Sequence, residues 1–487
     1  MGIVGVQSIK NMISTYVGFM IGGINVLFLF TNFVSDTYFG LIQYIFSTAA
    51  IMMPVMAFGL HNTIVKFYSS FESGRDQDSF LTLVLILPLF IAIPIAMIGV
   101  IFFDTISFWL SSENEIIREY VWLIYISAIF FAYFEIFYAW SKVNMKSVFG
   151  NFMKEIFHRI CTTILLFSLY FNLINVDQLI YALVSVYFIR AVIMAFYAFQ
   201  LKSITIRFKT VPRLGDILKY STLIIIAGSV ANIILEIDKF MIGHYVKIEN
   251  VAYYAVAVYI ASVIGVPSRA MHQITSPITA KLLNEKNNLE IKLLYQKSSL
   301  TLLIVSGLIF LLIVLNIYEL YRLIPEKFEG GIVVVFLIGL AKLYDNALGN
   351  NNGILFNSDY YRLVLASGVG LVILTVLLNI WFIPRYGAIG AAYASFISVL
   401  VYNSIKILFV KFWFRISPFT WNTLKVVTLI LIIFSAFYFW DFPFHPILNI
   451  ILKTVLITGS YILVVDYFKL SEDLSDVISG IKKRVGL

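Results

Sequence analysis

Between Asn11 and Phe33 the chain carries no charged residue. Apolar runs of about 20 residues recur from there to Phe468, each long enough to cross a hydrocarbon core of roughly 30 Å. Such runs in a soluble fold would need a polar shell to cover them. The composition does not supply one: 60% of the residues are apolar and 13% charged, against about a quarter charged in a soluble domain. Loops between the runs are short, so no sizeable water-soluble domain fits among them. The runs are continuous and do not alternate over about ten residues, which selects helices over barrel strands. The expected fold is an all-α integral membrane protein of about 14 transmembrane helices.

The runs fall at 11–33, 38–62, 80–103, 116–140, 148–171, 178–200 and 216–235, then at 251–274, 295–317, 331–348, 361–383, 387–409, 424–439 and 446–468. The first follows a single cation, Lys10, and is longer than the apolar core of a signal peptide, without a small-residue cleavage site. It reads as a retained helix. Cys161 is the sole cysteine, which excludes an intramolecular disulfide, and no Cys/His spacing suggests a metal site. No cofactor is expected.

The formal net charge is +8. In a soluble protein that excess would point to nucleic acid. Here the cations gather in alternate loops, which excludes that partner. With Lys10 cytoplasmic and the sides alternating, inner segments collect roughly 25 Lys and Arg against about 6 outside, a strong positive-inside bias. The inner set includes Lys66, Lys142, Lys202, Lys209, Arg269, Lys281, Lys297, Lys406, Lys411, Lys482, Lys483 and Arg484. The outer set is Arg118, Lys239, Lys247, Arg322, Lys327 and Arg385. Both termini are therefore expected in the cytoplasm.

The segment 201–219, with Pro212 and Gly215 as breakers, is the natural linker between halves. The halves form a weak repeat offset by about 210 residues, with Pro54 late in the second run matching Pro267 late in the eighth. This divides the chain into an N-terminal six-helix lobe at 1–205 and a C-terminal six-helix lobe at 206–412. Residues 413–487 add two further transmembrane helices and a cytoplasmic tail. The polar stretch 281–297 reads as an amphipathic segment at the inner surface, anchored on anionic lipid.

Two motifs carry a family resemblance. Asp238-Lys239-Phe240-Met241-Ile242-Gly243 is followed by Ala252-Tyr253-Tyr254-Ala255, and Ile383-Pro384-Arg385-Tyr386-Gly387 by Ala388-Ile389-Gly390-Ala391-Ala392. In these elements the chain resembles the bacterial polysaccharide flippases, the O-antigen and capsule repeat-unit exporters. They belong to the superfamily that also holds the MATE drug exporters. Ala252 departs from the glycine usual in that family. The second motif is structural: Pro384 cannot continue a helix interior, Gly387 suits a tight turn, and the small residues after it let two helices approach.

The resemblance implies two pseudo-symmetric six-helix lobes around a central cavity that opens to each side in turn. It implies an undecaprenyl-pyrophosphate-linked oligosaccharide as substrate, moved from the inner to the outer leaflet of the bacterial inner membrane for surface polysaccharide synthesis. It further implies membrane lipid as a partner, H+ or Na+ as coupling ion, polysaccharide polymerase and chain-length proteins as neighbours, and no enzymatic activity.

A pyrophosphate headgroup calls for cations, and ionisable residues deep in spans default to a functional reading. Arg159 lies roughly 16 Å from the inner end of its run and Arg190 roughly 18 Å from the outer end of the next, so both reach similar depth. Lys342 lies roughly 16 Å from an outer end. Arg159, Arg190 and Lys342 are the expected headgroup-binding cations, with Lys154 and His158 extending the strip on one helix face. Competing local readings pair Arg159 with Glu155 and Lys342 with Asp345 or Asn346. Glu135 reads as a snorkelling residue or a partner of Lys154. Asp238 and Lys239 read as a gate between lobes or as a local ion pair. Asp345, Asn346, Asn350, Asn351 and Asn352 either hold sugar hydroxyls or a coupling cation, or form a helix end frayed at water. His61, Arg269 and His272 share a depth near the inner mouth.

Rival functions make different demands on the same residues. A MATE-like exporter of cations needs acidic groups deep in the spans, where the deepest charges here are basic. A membrane glycan polymerase needs a large outer loop, and a lipid II flippase would use a similar headgroup. No Gly-x4-Gly-Lys-Ser/Thr loop supports direct ATP hydrolysis.

Overall fold

A computed structural model describes residues 3–71, 74–203, 205–208, 211–227 and 229–471. Lys209, Lys482, Lys483, Arg484 and the expected tail lie outside the described residues. Within them the secondary structure is helical, with no strand. Each expected run lies on helix, and nine helical stretches among the described residues are long and apolar enough to cross a membrane. The chain is a multi-pass, all-α membrane protein. With no water in the bilayer core, each backbone group must bond within its own helix.

The chain packs as two units: Met1–Ala255 with Val376–Gly387, and Val256–Thr375 with Ala388–Leu487. In the first, α1 (Ile3–Ile24) runs through a π turn (Asn25–Leu29) into a last helical turn, Phe30–Phe33. Then come α2 (Asp36–Met56), α3 (Leu60–Phe67), α4 (Gly74–Ile101), α5 (Phe103–Leu110) and α6 (Val121–Val143). A second interrupted helix follows: α7 (Ser147–Phe152), a π turn (Met153–Phe157) and α8 (His158–Tyr170). α9 (Val176–Leu201), α10 (Leu214–Ala227) and α11 (Val230–Tyr245) complete the unit, with the start of α12 (Glu249–Ser262). α6 is its central post, packed on α2, α3 and α9. Phe134 and Trp140 of α6 and Phe39 and Tyr44 of α2 are all buried.

The second unit holds the rest of α12, α13 (Val266–Asn284), α14 (Asn288–Leu315), α15 (Ile317–Tyr321), α16 (Ile332–Ala347) and α17 (Asn351–Phe356). α18 (Tyr361–Phe414) contributes its two ends, and α19 (Trp421–Phe437) and α20 (Pro446–Tyr467) follow. α14 is the post here, packed on α13, α16, α19 and α20. Leu303, Leu311, Val426, Ile430, Ile457 and Tyr461 form its apolar core. Apolar burial gives little drive between helices already in lipid, so close van der Waals fit must hold them. Gly307 shows this: a Cβ there would sit 2.5 Å from Ile430 Cδ1.

One expectation changes: the run 216–235 breaks between α10 and α11. The stretch 281–297 forms the end of α13, a tight turn and the start of α14, where Asn287 caps by accepting from the Glu290 N–H at 3.2 Å. The runs 361–383 and 387–409 meet, as expected, at Gly387, whose non-helical φ 58°, ψ −136° separates two helices within α18. That conformation is open to glycine and strained for other residues. Gly387→Ala should therefore destabilise the protein by about 1–3 kcal/mol, read as a lower melting temperature in detergent, whereas Gly459→Ala, with open space at its Cβ, should leave melting unchanged.

Candidate cation cluster and buried polar sites

The π turn Met153–Phe157 sets the direction of the strip that follows it, and such turns recur at functional sites. Lys154 Nζ donates to Glu135 Oε1 of α6 at 2.6 Å. Arg159 pairs with Glu155 one turn back at 3.3 Å and donates to the Glu155 carbonyl at 2.9 Å. The π turn of α1 faces this segment. From it Asn25 donates to the Arg159 carbonyl at 2.9 Å and accepts from Thr163 Oγ1 at 2.7 Å. Both ion pairs keep some solvent contact, so each adds little to stability.

Arg190 of α9 differs from these. It is 7% exposed. Among the described residues it makes no hydrogen bond or ion pair, and its Nε is enclosed without a partner. Its guanidinium lies 4.0 Å from the Phe134 ring centroid, 4.8 Å from Tyr187 and 5.8 Å from Phe131. Helical spacing builds this cage: Tyr187 precedes Arg190 by three residues, and Phe131 and Phe134 stand three apart on α6. Ring faces attract a cation by about 2 kcal/mol when desolvated but do not neutralise it.

His158 packs its ring 5.8 Å from Tyr187, with Nδ1 buried and unpartnered among the described residues. It lies within electrostatic range of both Arg159 and Arg190, and α8 packs directly on α9. The first unit thus gathers Lys154, His158, Arg159 and Arg190. Lys342 belongs to the second unit.

In that unit Lys342 is half-buried and lays its stem over Gly265, whose Cβ position is 3.6 Å from Lys342 Cδ. It pairs with neither Asp345 nor Asn346, contrary to the local alternative. Asp345 faces Lys406 at 3.7 Å. Asn346 Nδ2 donates to the Ile264 carbonyl at 2.7 Å and to Ser306 Oγ at 2.6 Å. The helix end is not frayed at water. Asn346, Asn350 and Asn351 are buried, Asn350 accepts from Thr275 Oγ1 at 3.0 Å, and Asn351 Nδ2 donates to Tyr295 Oη at 2.6 Å. In a buried setting each such bond spares an unsatisfied-group penalty of about 1–3 kcal/mol. His61 stands in the first unit and Arg269 and His272 on α13 in the second.

Asp238 and Lys239 are not partners of each other. Asp238, 4% exposed, accepts from the Tyr254 hydroxyl and from Asn379 Nδ2 at 2.8 Å. Lys239 pairs with Glu236 at 2.7 Å. Adjacent helical residues diverge by about 100°, so neighbours in sequence rarely share a partner.

Sequence reasoning passed over two cations. Lys406 is buried within its unit and is not an inner-surface residue. Lys453, mid-run in α20, is buried and donates to the Leu315 carbonyl at 3.0 Å and to Asp441 at 2.8 Å. The available signal was a charge inside an apolar run.

Asp238→Ala should cost about 3 kcal/mol or more, because it strands two buried donors. Lys239→Ala should cost under about 1 kcal/mol. Melting curves of the two purified variants check the contrast.

Residues 7–282 match the family model described as polysaccharide biosynthesis protein, and residues 224–344 match MatE. No curated protein matches. Among solved structures, the chain is similar to the lipid II flippase MurJ in an inward closed conformation, at TM-score 0.71 and 16% identity, covering 96% of this chain and 100% of that one. An inward-facing multidrug resistance MATE family transporter of the MOP superfamily gives 0.62 and 14%, over 84% and 94%. The MATE multidrug transporter DinF-BH gives 0.55 and 13%, over 84% and 95%. At these identities the likeness is one of fold. The family model spans more than half of the sequence, and the chain belongs to the polysaccharide biosynthesis protein family, built on the membrane-transporter fold that MurJ and the MATE proteins share.

Proposed function

We propose that this protein is a flippase. It moves an undecaprenyl-pyrophosphate-linked oligosaccharide from the inner to the outer leaflet by alternating access, for surface polysaccharide synthesis. Arg190 carries this reading: a guanidinium buried in a span without an anion is an incomplete site. A phosphate completes it, since the planar fork of arginine donates to two oxygens at once. Arg159, His158 and Lys154 give the headgroup a cationic approach on the same unit, with Glu155 and Glu135 holding two of these groups until an anion displaces them. Lys342, half-buried and free of ion pairs among the described residues, is the corresponding cation of the other unit.

Family membership supports the substrate class, and the anion-seeking site argues against a MATE-like exporter of cations. The positive-inside bias supports two cytoplasmic termini in the bacterial inner membrane. The repeat supports six-helix lobes at 1–205 and 206–412 with an appendix at 413–487. H+ or Na+ is the coupling ion of this reading. A lipid II flippase remains the second reading because the MurJ fold matches over the whole chain and the headgroup chemistry is shared.

Arg190→Ala should abolish export of surface glycan while the protein stays in the membrane, and should weaken binding of undecaprenyl pyrophosphate to purified protein at least about tenfold, the effect of one lost charge-assisted contact. Arg159→Ala should also abolish export, and normal export by it removes Arg159 from the site. Complementation of a MurJ-depleted cell, with no effect on surface glycan, selects the lipid II reading.

A further inference from the structure

We propose that Lys406 and Asp345 form a proton-carrying pair in the second unit, which couples proton movement to the transport reaction proposed above and rests on that reading.

The two charges of this pair are unequally placed. Lys406 on α18 is 2% exposed, while the Asp345 side chain on α16 is 42% exposed. Lys406 Nζ is 3.7 Å from Asp345 Oδ1, beyond a hydrogen bond, and donates to Asn352 Oδ1 at 3.1 Å. It lies 4.6 Å from the ring of Tyr402. A purely structural bridge would close this gap, since a long one forfeits most of the attraction that offsets desolvation. A compact ammonium on a flexible stem also exchanges its proton far more readily than a guanidinium.

A second observation stands apart from the pair. Asn403, one turn before Lys406, is 1% exposed, and neither atom of its amide has a partner among the described residues. Asn351 Oδ1, beside Asn352, is also buried and unpartnered. Each orphan costs about 1–3 kcal/mol unless water fills the space. Donors and acceptors in such number hold water well, and water beside Lys406 is what a proton needs to leave it.

Other titratable groups face the pair. His272 of α13 lies within electrostatic range of both members, and Tyr402 lies within range of Asp345. Tyr344, next to Asp345, is tied to Ser404 at 3.0 Å. The pair cannot double as a metal-cation site, because Lys406 occupies the position a cation would take. Among the described residues no group of three His, Cys, Asp or Glu is placed to hold a metal.

The step balances. A hydronium ion at the exposed face of Asp345 breaks one O–H bond, leaving water, and its proton forms an O–H bond on the carboxylate. Lys406, released from its counter-charge, breaks one N–H bond and gives that proton to a water entering at Asn403, which becomes hydronium. The acid then hands its proton to the neutral amine, which restores the ion pair. One proton enters and one leaves.

Infrared difference spectra of the liposome-embedded protein, between acidic and alkaline buffer, test the pair without substrate. A carboxylic-acid band should vanish in Asp345→Asn. Its midpoint should rise by about one pH unit or more in Lys406→Met, a tenfold change in proton affinity. A second measurement follows proton entry with an enclosed pH dye on adding undecaprenyl pyrophosphate. Lys406→Met and the neutral double variant Lys406→Met/Asp345→Asn should both lose about tenfold of the flux. The double variant should keep the wild-type melting temperature, because it leaves no unbalanced charge. A midpoint unmoved by Lys406→Met, or a double variant with wild-type flux, overturns the proposal. Binding of undecaprenyl pyrophosphate is read separately, lost in Arg190→Ala and kept in Lys406→Met. A wild-type protein that binds none sinks the transport reading, while the infrared midpoint still decides the pair.

Discussion

Hydrocarbon offers no hydrogen bonds, and every polar group placed in it must find a partner inside the protein. That constraint makes every regular element among the described residues a helix. It also explains where the polar side chains have gone. Asp238 is met by Tyr254 and Asn379, Asn346 by Ser306 and the Ile264 carbonyl, Lys453 by Asp441 and a helix-end carbonyl. Against this background the groups that lack a partner are informative. Arg190 Nε, His158 Nδ1 and the Asn403 amide are enclosed without a partner among the described residues, which is why the proposals above rest on Arg190 and on the surroundings of Asn403.

The two units treat charge differently. The first gathers cations on and beside a π turn, balances two of them with nearby carboxylates, and leaves the most buried one among aromatic rings. The second builds an amide-rich network along α16 and α17, with a lysine behind it. In the reading proposed above, an anion site in the first unit and a proton-carrying pair in the second are a basis for coupled transport, because each ligand would bias the state of its own unit.

Small residues do the packing that apolar burial cannot do in lipid. Gly307 lets α19 approach α14, and Gly387 takes the conformation that separates the two helices of α18. The motif around Gly387 was legible as structural from its residue types alone.

The sequence alone determined the class of fold and the positions of the apolar runs, because run length is set by bilayer thickness and needs no tertiary contact; the family was legible only as a resemblance carried by the motifs around Asp238 and Gly387. The sequence also picked out Arg159, Arg190 and Lys342 as charges at cost. Tertiary structure decided their partners. Which residue meets a charge depends on helix rotation and on neighbours far along the chain: Asn25 against Arg159, Asn379 against Asp238, Asn352 against Lys406. Two π turns, invisible in composition, set one of these rotations. For the same reason an apparent helix end at water proved to be a buried network, and a supposed surface lysine, Lys406, proved to be a fully enclosed amine.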